Sequence, residues 1–358
     1  MTLESFALAS GSGATLTIDG ATVCKSVPSG QLDKLVAEGA WLQWAAAAGG
    51  PAVGRHLPAV VATPDDATRT LVLRRVPGVD ARRVVIENAD PVCLELITEA
   101  VLFGFEKLCV IGGRQPAWDT GGWCASHLVS SLSTARKIHP VVNAVLAARH
   151  VSIDAVSLPN PLRDGAVAVT ESLARCKPSW TQVLHGDLHL GNILVDRGGR
   201  TFYLVDPRGG WGTQLTFDPA YDIAKLLHES CYVAFRQSLT DVRTVASPAH
   251  VAFVGSTGRD DHAPLRSLAD CNARLAQMVC RRFLGADPQL ASRATLITGV
   301  LLLSVLRLPH TSRQAWQVLL AYGLRWLVAG VRTLRDGYDL QRCVRLWRGL
   351  AMAGPVPT

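Results

Sequence analysis

Residues 184–196 read Leu184-His185-Gly186-Asp187-Leu188-His189-Leu190-Gly191-Asn192-Ile193-Leu194-Val195-Asp196. A short polar loop lies here between two mostly apolar runs, residues 181–184 and 193–195. A second apolar segment follows at residues 201–205, and the Gly198-Gly199 pair before it predicts a β-hairpin. The pattern therefore predicts a polar loop that is held between a strand and a hairpin.

Three oxygen-bearing side chains in and after this loop fit phosphoryl transfer. That reaction needs positioning and neutralisation of phosphate charge more than covalent help from the protein. A loop carboxylate, Asp187, can accept the proton of an attacking hydroxyl. Asn192 and Asp206 offer the oxygen ligands that Mg²⁺ prefers. We therefore predict that Asp187 is the catalytic residue and that Asn192 and Asp206 bind the metal.

Three ordered motifs carry a resemblance to a known family. They are His185 to Leu194, Val205-Asp206-Pro207-Arg208-Gly209 and Asp218 to Leu226. They resemble the catalytic loop, the metal-binding segment and the following helix start of the aminoglycoside phosphotransferase and choline kinase-like family. This family is the small-molecule branch of the protein-kinase fold. The resemblance implies an α+β, bilobal fold with a small antiparallel-sheet lobe at residues 1–77 and a mostly helical lobe at residues 78–358.

The same resemblance implies an enzyme that uses ATP or GTP with Mg²⁺ to phosphorylate a hydroxyl of a small molecule. It assigns His185 and Asp222 to supporting the catalytic loop. We expect Arg208 to lie near the phosphates or the acceptor, and Trp211 either to line the acceptor pocket or to pack at the surface. Family acceptors include aminoglycosides, other antibiotics, sugars and choline. The composition, rich in alanine, arginine and valine, suggests a GC-rich genome and is compatible with an antibiotic producer that protects itself. We therefore expect an antibiotic, of aminoglycoside or nucleoside type, or a sugar.

The N-terminal region predicts strands around a phosphate-binding turn. Strands are expected at residues 6–9, 14–18 and 21–27, with Asp19-Gly20 as a hairpin turn. The turn that contains Gly11, Ser12 and Gly13 can fold over nucleotide phosphates with its backbone N–H groups.

Lys25 lies in one of these strands, among mostly apolar neighbours, and therefore needs a partner. In kinase-like folds such a lysine contacts the nucleotide phosphates and pairs with a helix glutamate, and here Glu38 on a helix at residues 32–48 is the candidate. The alternative is an edge-strand lysine that reaches solvent.

Strands at residues 57–62 and 70–76 then lead to a hinge. There Arg74 and Arg75 replace the acidic residue of many relatives, which leaves the choice between ATP and GTP open.

The rest of the chain predicts helices. Helical periodicity is expected at 93–109, 123–148, 164–176, from Asp218 and Asp222 to 228, and at 265–284, 291–308 and 312–334. A loop is predicted at residues 151–163 and a strand-like piece at 250–254.

Composition narrows the class of protein further. The 358 residues are 48% hydrophobic with a net charge of +7, and the basic residues are scattered, so nucleic-acid binding is not expected. The apolar run at 294–306 is shorter than a bilayer span, and no secretory signal is visible, so we expect a cytoplasmic monomer or homodimer without membrane contact. Nine dispersed cysteines indicate buried free thiols.

Two other functions stay open on the sequence. His185, Asp187 and His189 form an H-x-D-x-H pattern that could bind zinc in a hydrolase, although Asn192 and Asp206 have no task in that case. The chain could also be a nucleotide-binding pseudokinase that serves as an interaction module.

Overall fold

The computed structural model describes residues 8–9, 14–28, 30–87, 90–153, 156–175, 177–211, 214–236, 241–247, 250–256, 263–283, 285–308 and 313–351. The predicted turn with Gly11, Ser12 and Gly13 lies outside these residues. The chain divides into two compact units, the first being Met1–Gln115 with Gln182–Phe217 and the second Pro116–Thr181 with Asp218–Thr358. The α+β class is confirmed. The expected lobe boundary between residues 77 and 78 falls inside the first unit and stays a prediction.

Unit 1 begins with a five-stranded antiparallel sheet. Its strands are β1 (Leu8–Ala9), β2 (Thr15–Asp19), β3 (Thr22–Ser26), β4 (Val60–Ala62) and β5 (Thr70–Arg74), in the spatial order β1-β2-β3-β5-β4. The predicted hairpin is confirmed, because Asp19 pairs with Thr22 across a turn in which Gly20 has φ +54°. Lys25 stands on the central strand β3, between Leu16 of β2 and Leu71 of β5. It is therefore not an edge-strand residue.

Helix α1 (Leu32–Gly54) follows the sheet and packs against β5. It is longer than the predicted 32–48 because a second helical segment continues past a kink. Gly50 sits at the kink with φ +58°, and Pro51 follows it. A proline at the first turn of a helical segment loses no hydrogen bond, so Pro51 follows a kink here and does not end the helix.

The remaining elements of unit 1 surround the loop of residues 184–192. They are β6 (Val79–Asp80), α2 (Ala81–Ile86), α3 (Pro91–Gly112), β9 (Gln182–Val183), a 3₁₀ turn (Leu190–Asn192), β10 (Ile193–Asp196), β11 (Thr201–Leu204) and β12 (Thr216–Phe217). The β10–β11 hairpin is confirmed, with Ile193 opposite Leu204 and Asp196 opposite Thr201. Strand β6 pairs with the other edge of β10, and β9 pairs with β12.

Unit 2 is mostly helical. Its helices are α4 (Thr120–Ile138), α5 (Pro140–Ala147), α6 (Arg163–Arg175), α7 (Ala220–Arg236), α8 (Ala263–Phe283), α9 (Leu290–Ser304), α10 (Arg313–Asp336) and α11 (Leu340–Ala351). The predicted helices are confirmed to within a few residues, except that α7 runs past its expected end at residue 228, and α11 is additional. Helix α9, which packs against α7 and α10, is buried along its whole length.

A four-stranded sheet in unit 2 corrects the loop predicted at residues 151–163. Strands β7 (His150–Ile153) and β8 (Val156–Pro159) form a hairpin in that region. Strand β13 (Asp241–Ser247) pairs with β14 (His250–Ser256), which in turn pairs in parallel with β7. Because β7 and β14 lie far apart in sequence, their pairing left no local signal beyond the strand-like piece at 250–254.

One segment within the described residues, Leu290–Arg307, is long and apolar enough to cross a membrane by length and composition. Of this window, 89% is buried inside the protein. Such burial is typical of the core helix of a globular unit, as the sequence predicted for residues 294–306.

Candidate active site

Lys25 is the centre of a buried ion-pair cluster within unit 1. Its Nζ lies 2.5 Å from Oε2 of Glu38 and 2.5 Å from Oδ1 of Asp206. Lys25 and Glu38 are 5% and 2% exposed, whereas the Asp206 side chain is 36% exposed. The structure thus brings together three predicted site residues from β3, α1 and the segment after β11, with the carboxylate of Asp206 on the open side.

The cluster changes the proton affinity of its members. Burial alone lowers the pKa of Lys25, but the charges of Asp206 and Glu38 outweigh burial and raise that pKa above its usual value. Burial, together with repulsion from Asp206, raises the pKa of Glu38 to about 7 against the opposing effect of Lys25. The lysine is therefore held as a cation, and Asp206 is the more exposed of its two partners.

The polar loop is a chain of backbone turns around Asp187. The backbone N–H of His189 donates to the Asp187 carbonyl at 3.0 Å, and the N–H of Asn192 donates to the His189 carbonyl at 2.9 Å. The Asn192 side-chain Nδ2 also donates to the Asp187 carbonyl, at 2.9 Å. These bonds fix the backbone of Asp187, and its half-buried side chain keeps 32% exposure.

His185 supports the loop as a buried side chain. It is fully buried, lies edge-on to Trp41 with ring centroids 6.1 Å apart, and its Nδ1 accepts from the Asp187 N–H at 3.3 Å. Burial lowers the pKa of His185 to about 4, although Asp187 and Asp206 oppose this effect. A neutral, buried imidazole fits the predicted supporting task, and it does not suit a proton-transfer role.

Asn192 and Asp206 have the oxygen atoms that a magnesium ion requires. Because Nδ2 of Asn192 donates to a carbonyl, the amide orientation is fixed and Oδ1 is its remaining oxygen. Within the described residues, Oδ2 of Asp206 accepts no hydrogen bond, while Oδ1 contacts Lys25. The Val205 N–H donates to the Asn192 carbonyl at 3.0 Å, so the two segments are tied together. This donor set fits a hard divalent cation.

Glycines let the backbone approach closely at this site. Gly209 has φ +84°, and a Cβ there would lie 2.6 Å from the carbonyl carbon of Ala37 on α1. Gly191 faces the guanidinium of Arg82 on α2, which a Cβ would overlap. In the sequence, Arg82 is only one of two adjacent arginines, and no pattern predicted that it lies beside the loop.

Arg208 and Trp211 lie beside the same loop. The Arg208 N–H donates to the His185 carbonyl at 2.8 Å, and its Cζ lies 5.6 Å from the centroid of the Trp211 ring. Trp211 is 4% exposed and stacks on Phe217, with centroids 4.4 Å apart and planes 12° apart. Trp211 is thus packed in unit 1, and the half-buried Arg208 is the more accessible of the two.

Asp222 and Asp218 belong to unit 2. Asp222 is 1% exposed in the first turn of α7, and its predicted support of the loop stays a prediction. Oδ1 of Asp218 accepts from the Ala220 N–H at 2.9 Å, a bond at the start of this helix of the kind that caps helices.

Asp218 also forms an ion-pair cluster that the sequence did not predict. Nε of Arg293 on α9 lies 2.7 Å from Oδ2 of Asp218, and Nη2 of Arg293 lies 2.6 Å from Oδ2 of Asp287. All three residues are buried. The cluster fixes the start of α7 to α9 inside unit 2.

The zinc alternative finds no support in the geometry. Nε2 of His189 lies 3.8 Å from Oδ1 of Asp187, whereas Nδ1 of His185 is engaged by a backbone N–H. In the part of the chain that the structure describes, no group of three histidine, cysteine or acidic side chains is placed to hold a metal ion. The eight cysteines in that part are free thiols.

Phosphoryl transfer calls for a fixed cation, oxygen ligands for a metal and an accessible loop carboxylate. Unit 1 supplies all three kinds of group on an α+β fold. By class the protein is a small-molecule kinase.

Residues 13–247 match the phosphotransferase enzyme family. The match extends over well over half of the chain, and the protein therefore belongs to this family, as its motifs predicted. No curated protein matches the sequence.

Solved structures show more distant similarity. A glucosamine kinase in complex with glucosamine, ADP and inorganic phosphate is 15% identical, with a TM-score of 0.48 over 94% of this chain and 81% of that chain. An aminoglycoside phosphotransferase from Streptomyces rimosus, in complex with ADP and streptomycin, is 18% identical, with a TM-score of 0.41 over 83% and 90% of the two chains. Similarity at this level does not identify a substrate.

Proposed function

We propose that this phosphotransferase moves the γ-phosphoryl group of ATP or GTP onto a hydroxyl group of a small molecule. The observation that carries the proposal is the position of Lys25 between Glu38 and Asp206, in the same unit as the Asp187–Asn192 loop. Lys25 contacts the α- and β-phosphates, and Glu38 holds the lysine in place. The predicted phosphate contacts of Gly11, Ser12 and Gly13 stay a prediction.

Asp187 orients the acceptor hydroxyl and takes its proton as the oxygen attacks the γ-phosphorus. The bond from this phosphorus to the bridging oxygen breaks, and its electron pair leaves with the nucleoside diphosphate. Asn192 and Asp206 hold Mg²⁺, which neutralises charge on the phosphates when bound. His185 and Asp222 keep the loop in shape, and Arg208 and Trp211 border the acceptor.

The acceptor that we propose is an antibiotic, of aminoglycoside or nucleoside type, or a sugar. With an antibiotic acceptor, the biological role is self-resistance. We place the enzyme in the cytoplasm as a monomer or homodimer, with no nucleic-acid or membrane partner. These proposals rest on the family and on the sequence.

The test is release of ADP or GDP by the purified protein with Mg²⁺ across hydroxylated antibiotics and sugars. Asp187→Asn keeps the loop backbone and removes the base, so we expect kcat to fall about 10²- to 10⁴-fold with little change in nucleotide affinity. Asp196→Asn, at the end of β10 in the same unit, is the matched control and should retain activity. Normal turnover by Asp187→Asn would end the assignment. Tight nucleotide binding with no release across the whole panel would favour the pseudokinase alternative.

A further inference from the structure

Arg208 lies two residues after Asp206, and its backbone is held against the catalytic loop. Its N–H donates to the His185 carbonyl at 2.8 Å, two residues before Asp187. The next residue, Gly209, is pressed against the Ala37 backbone of α1. The backbone of Arg208 is therefore fixed on both sides. It lies between Asp206, a candidate metal ligand, and the catalytic loop.

The stem of Arg208 runs directly along Gly186, the residue before Asp187. A Cβ at Gly186 would lie 2.6 Å from Cβ of Arg208 and 3.3 Å from its Cδ. Gly186 also has φ +78°, a conformation that side chains with a Cβ rarely adopt. The absence of a side chain at Gly186 thus leaves room for Arg208 beside the catalytic residue Asp187.

The guanidinium of Arg208 is oriented by a fixed aromatic ring. Its Cζ lies 5.6 Å from the Trp211 centroid, within the range of a cation–π interaction. The Trp211 ring cannot swing away, because it stacks on Phe217 and its backbone exchanges hydrogen bonds with Gln214 at 2.8 and 3.2 Å. A half-buried guanidinium held in this way loses little rotamer entropy when it binds an anion.

We propose that Arg208 is a further catalytic residue, which stabilises the negative charge on the phosphoryl group during its transfer, and that Trp211 positions it. The proposal rests on the proposed function and goes beyond it. As the bond to the bridging oxygen breaks and the bond to the acceptor oxygen forms, charge is spread over the three remaining phosphoryl oxygens. The planar fork of N–H donors in a guanidinium matches two such oxygens. An arginine fixed before the reaction stabilises this charge without reorganisation.

The role can be separated from acceptor binding by measuring two reactions. One is transfer to an acceptor, and the other is slow hydrolysis of the nucleoside triphosphate by water, which needs no acceptor. Because both reactions move the same phosphoryl group, Arg208→Gln should lower both rates by a similar factor, about 10²- to 10³-fold. The Kd for the nucleotide and the KM for the acceptor should change little. Arg208→Lys keeps a charge without the fork and should recover part of both rates.

Trp211→Leu should lower both rates less than Arg208→Gln does, and Trp211→Phe should keep most of them, because a ring remains under the guanidinium. Arg175→Gln, which removes an exposed arginine paired with Glu171 at 3.0 Å, is the control and should leave both rates unchanged. Wild-type release of diphosphate tests the proposed function itself, whereas the ratio of variant to wild type tests Arg208.

Two results would overturn the proposal. A raised acceptor KM with unchanged hydrolysis would make Arg208 an acceptor-binding residue. A fall in both rates that follows an equal loss of nucleotide binding and a lowered Tm would make it a structural one.

Discussion

At the scale of single residues, His185 shows how burial of a side chain determines its protonation state. Its pKa is about 4 because burial excludes the charged imidazolium, whereas in the unfolded chain a histidine has a pKa of about 6.5. The unfolded state therefore binds the proton first as the pH falls. The stability that depends on a neutral His185 is complete above about pH 6.5 and is lost as the pH falls towards 4, by up to about 3 kcal/mol.

We expect the free energy of unfolding, measured with urea, to fall over this pH range in the wild type and to fall less in His185→Gln. His150→Gln, at an exposed histidine of unit 2, is the control and should keep the wild-type slope. A His185 ring that titrates near pH 6.5 by NMR would contradict the prediction.

Some residues of the site could be predicted from the sequence, and others could not. Lys25 was found because a lysine among apolar strand residues requires a partner, and Asp187 because its loop has a distinctive spacing. The contacts of Arg293 join residues up to 75 positions apart, and no local pattern marks them. The orientation of Arg208 depends likewise on a ring and a glycine from separate segments, so the sequence indicated only its neighbourhood.

At the scale of elements, the contact between α1 and the turn after Asp206 sets the position of Glu38 relative to Asp206. Gly209→Ala places a methyl group at φ +84°, against the Ala37 backbone. Gly30→Ala places one at φ +93° with nothing within 4 Å. Both variants carry the left-handed conformational cost of about 1–2 kcal/mol. Because of the overlap, we expect Gly209→Ala to lose about 1–3 kcal/mol more of the free energy of unfolding than Gly30→Ala does. We also expect Gly209→Ala to lower kcat.

Urea unfolding and diphosphate release on the same two variants measure the difference. Equal losses of stability and full activity in both would show that the approach of the turn to α1 does not matter.

Element boundaries were predictable where the signal is local, and strand partners were not. Asp19-Gly20 and Gly198-Gly199 marked their hairpins because a positive φ or a tight turn favours glycine. The pairing of β7 with β14 depends on side chains that meet only after the chain has folded, which is why residues 151–163 read as a loop. Helix α1 passed its predicted end because Gly50-Pro51 produces a kink that still packs.

At the scale of the whole molecule, most of the net positive charge lies in a different unit from the candidate site. Helices α8 and α11 carry seven arginines and one aspartate, and so account for six of the seven net positive charges. Both helices belong to unit 2, whereas the cluster of Lys25 belongs to unit 1. The basic balance of the chain is therefore no signal for the candidate site, which contains one buried lysine and its two carboxylates.

Unit 2 depends in turn on a buried charge cluster. Arg293→Met leaves Asp218 and Asp287 buried without their cation, and we expect a loss of about 3–5 kcal/mol in the free energy of unfolding. The triple variant Arg293→Met, Asp218→Asn and Asp287→Asn removes all three charges, so it should recover a large part of that loss. The Asp218→Asn change keeps a side-chain oxygen that can cap α7. Guanidinium unfolding of the single and triple variants checks this, and a triple variant no more stable than the single one would show that the ion pairs themselves, and not the isolated buried charges, decide the stability.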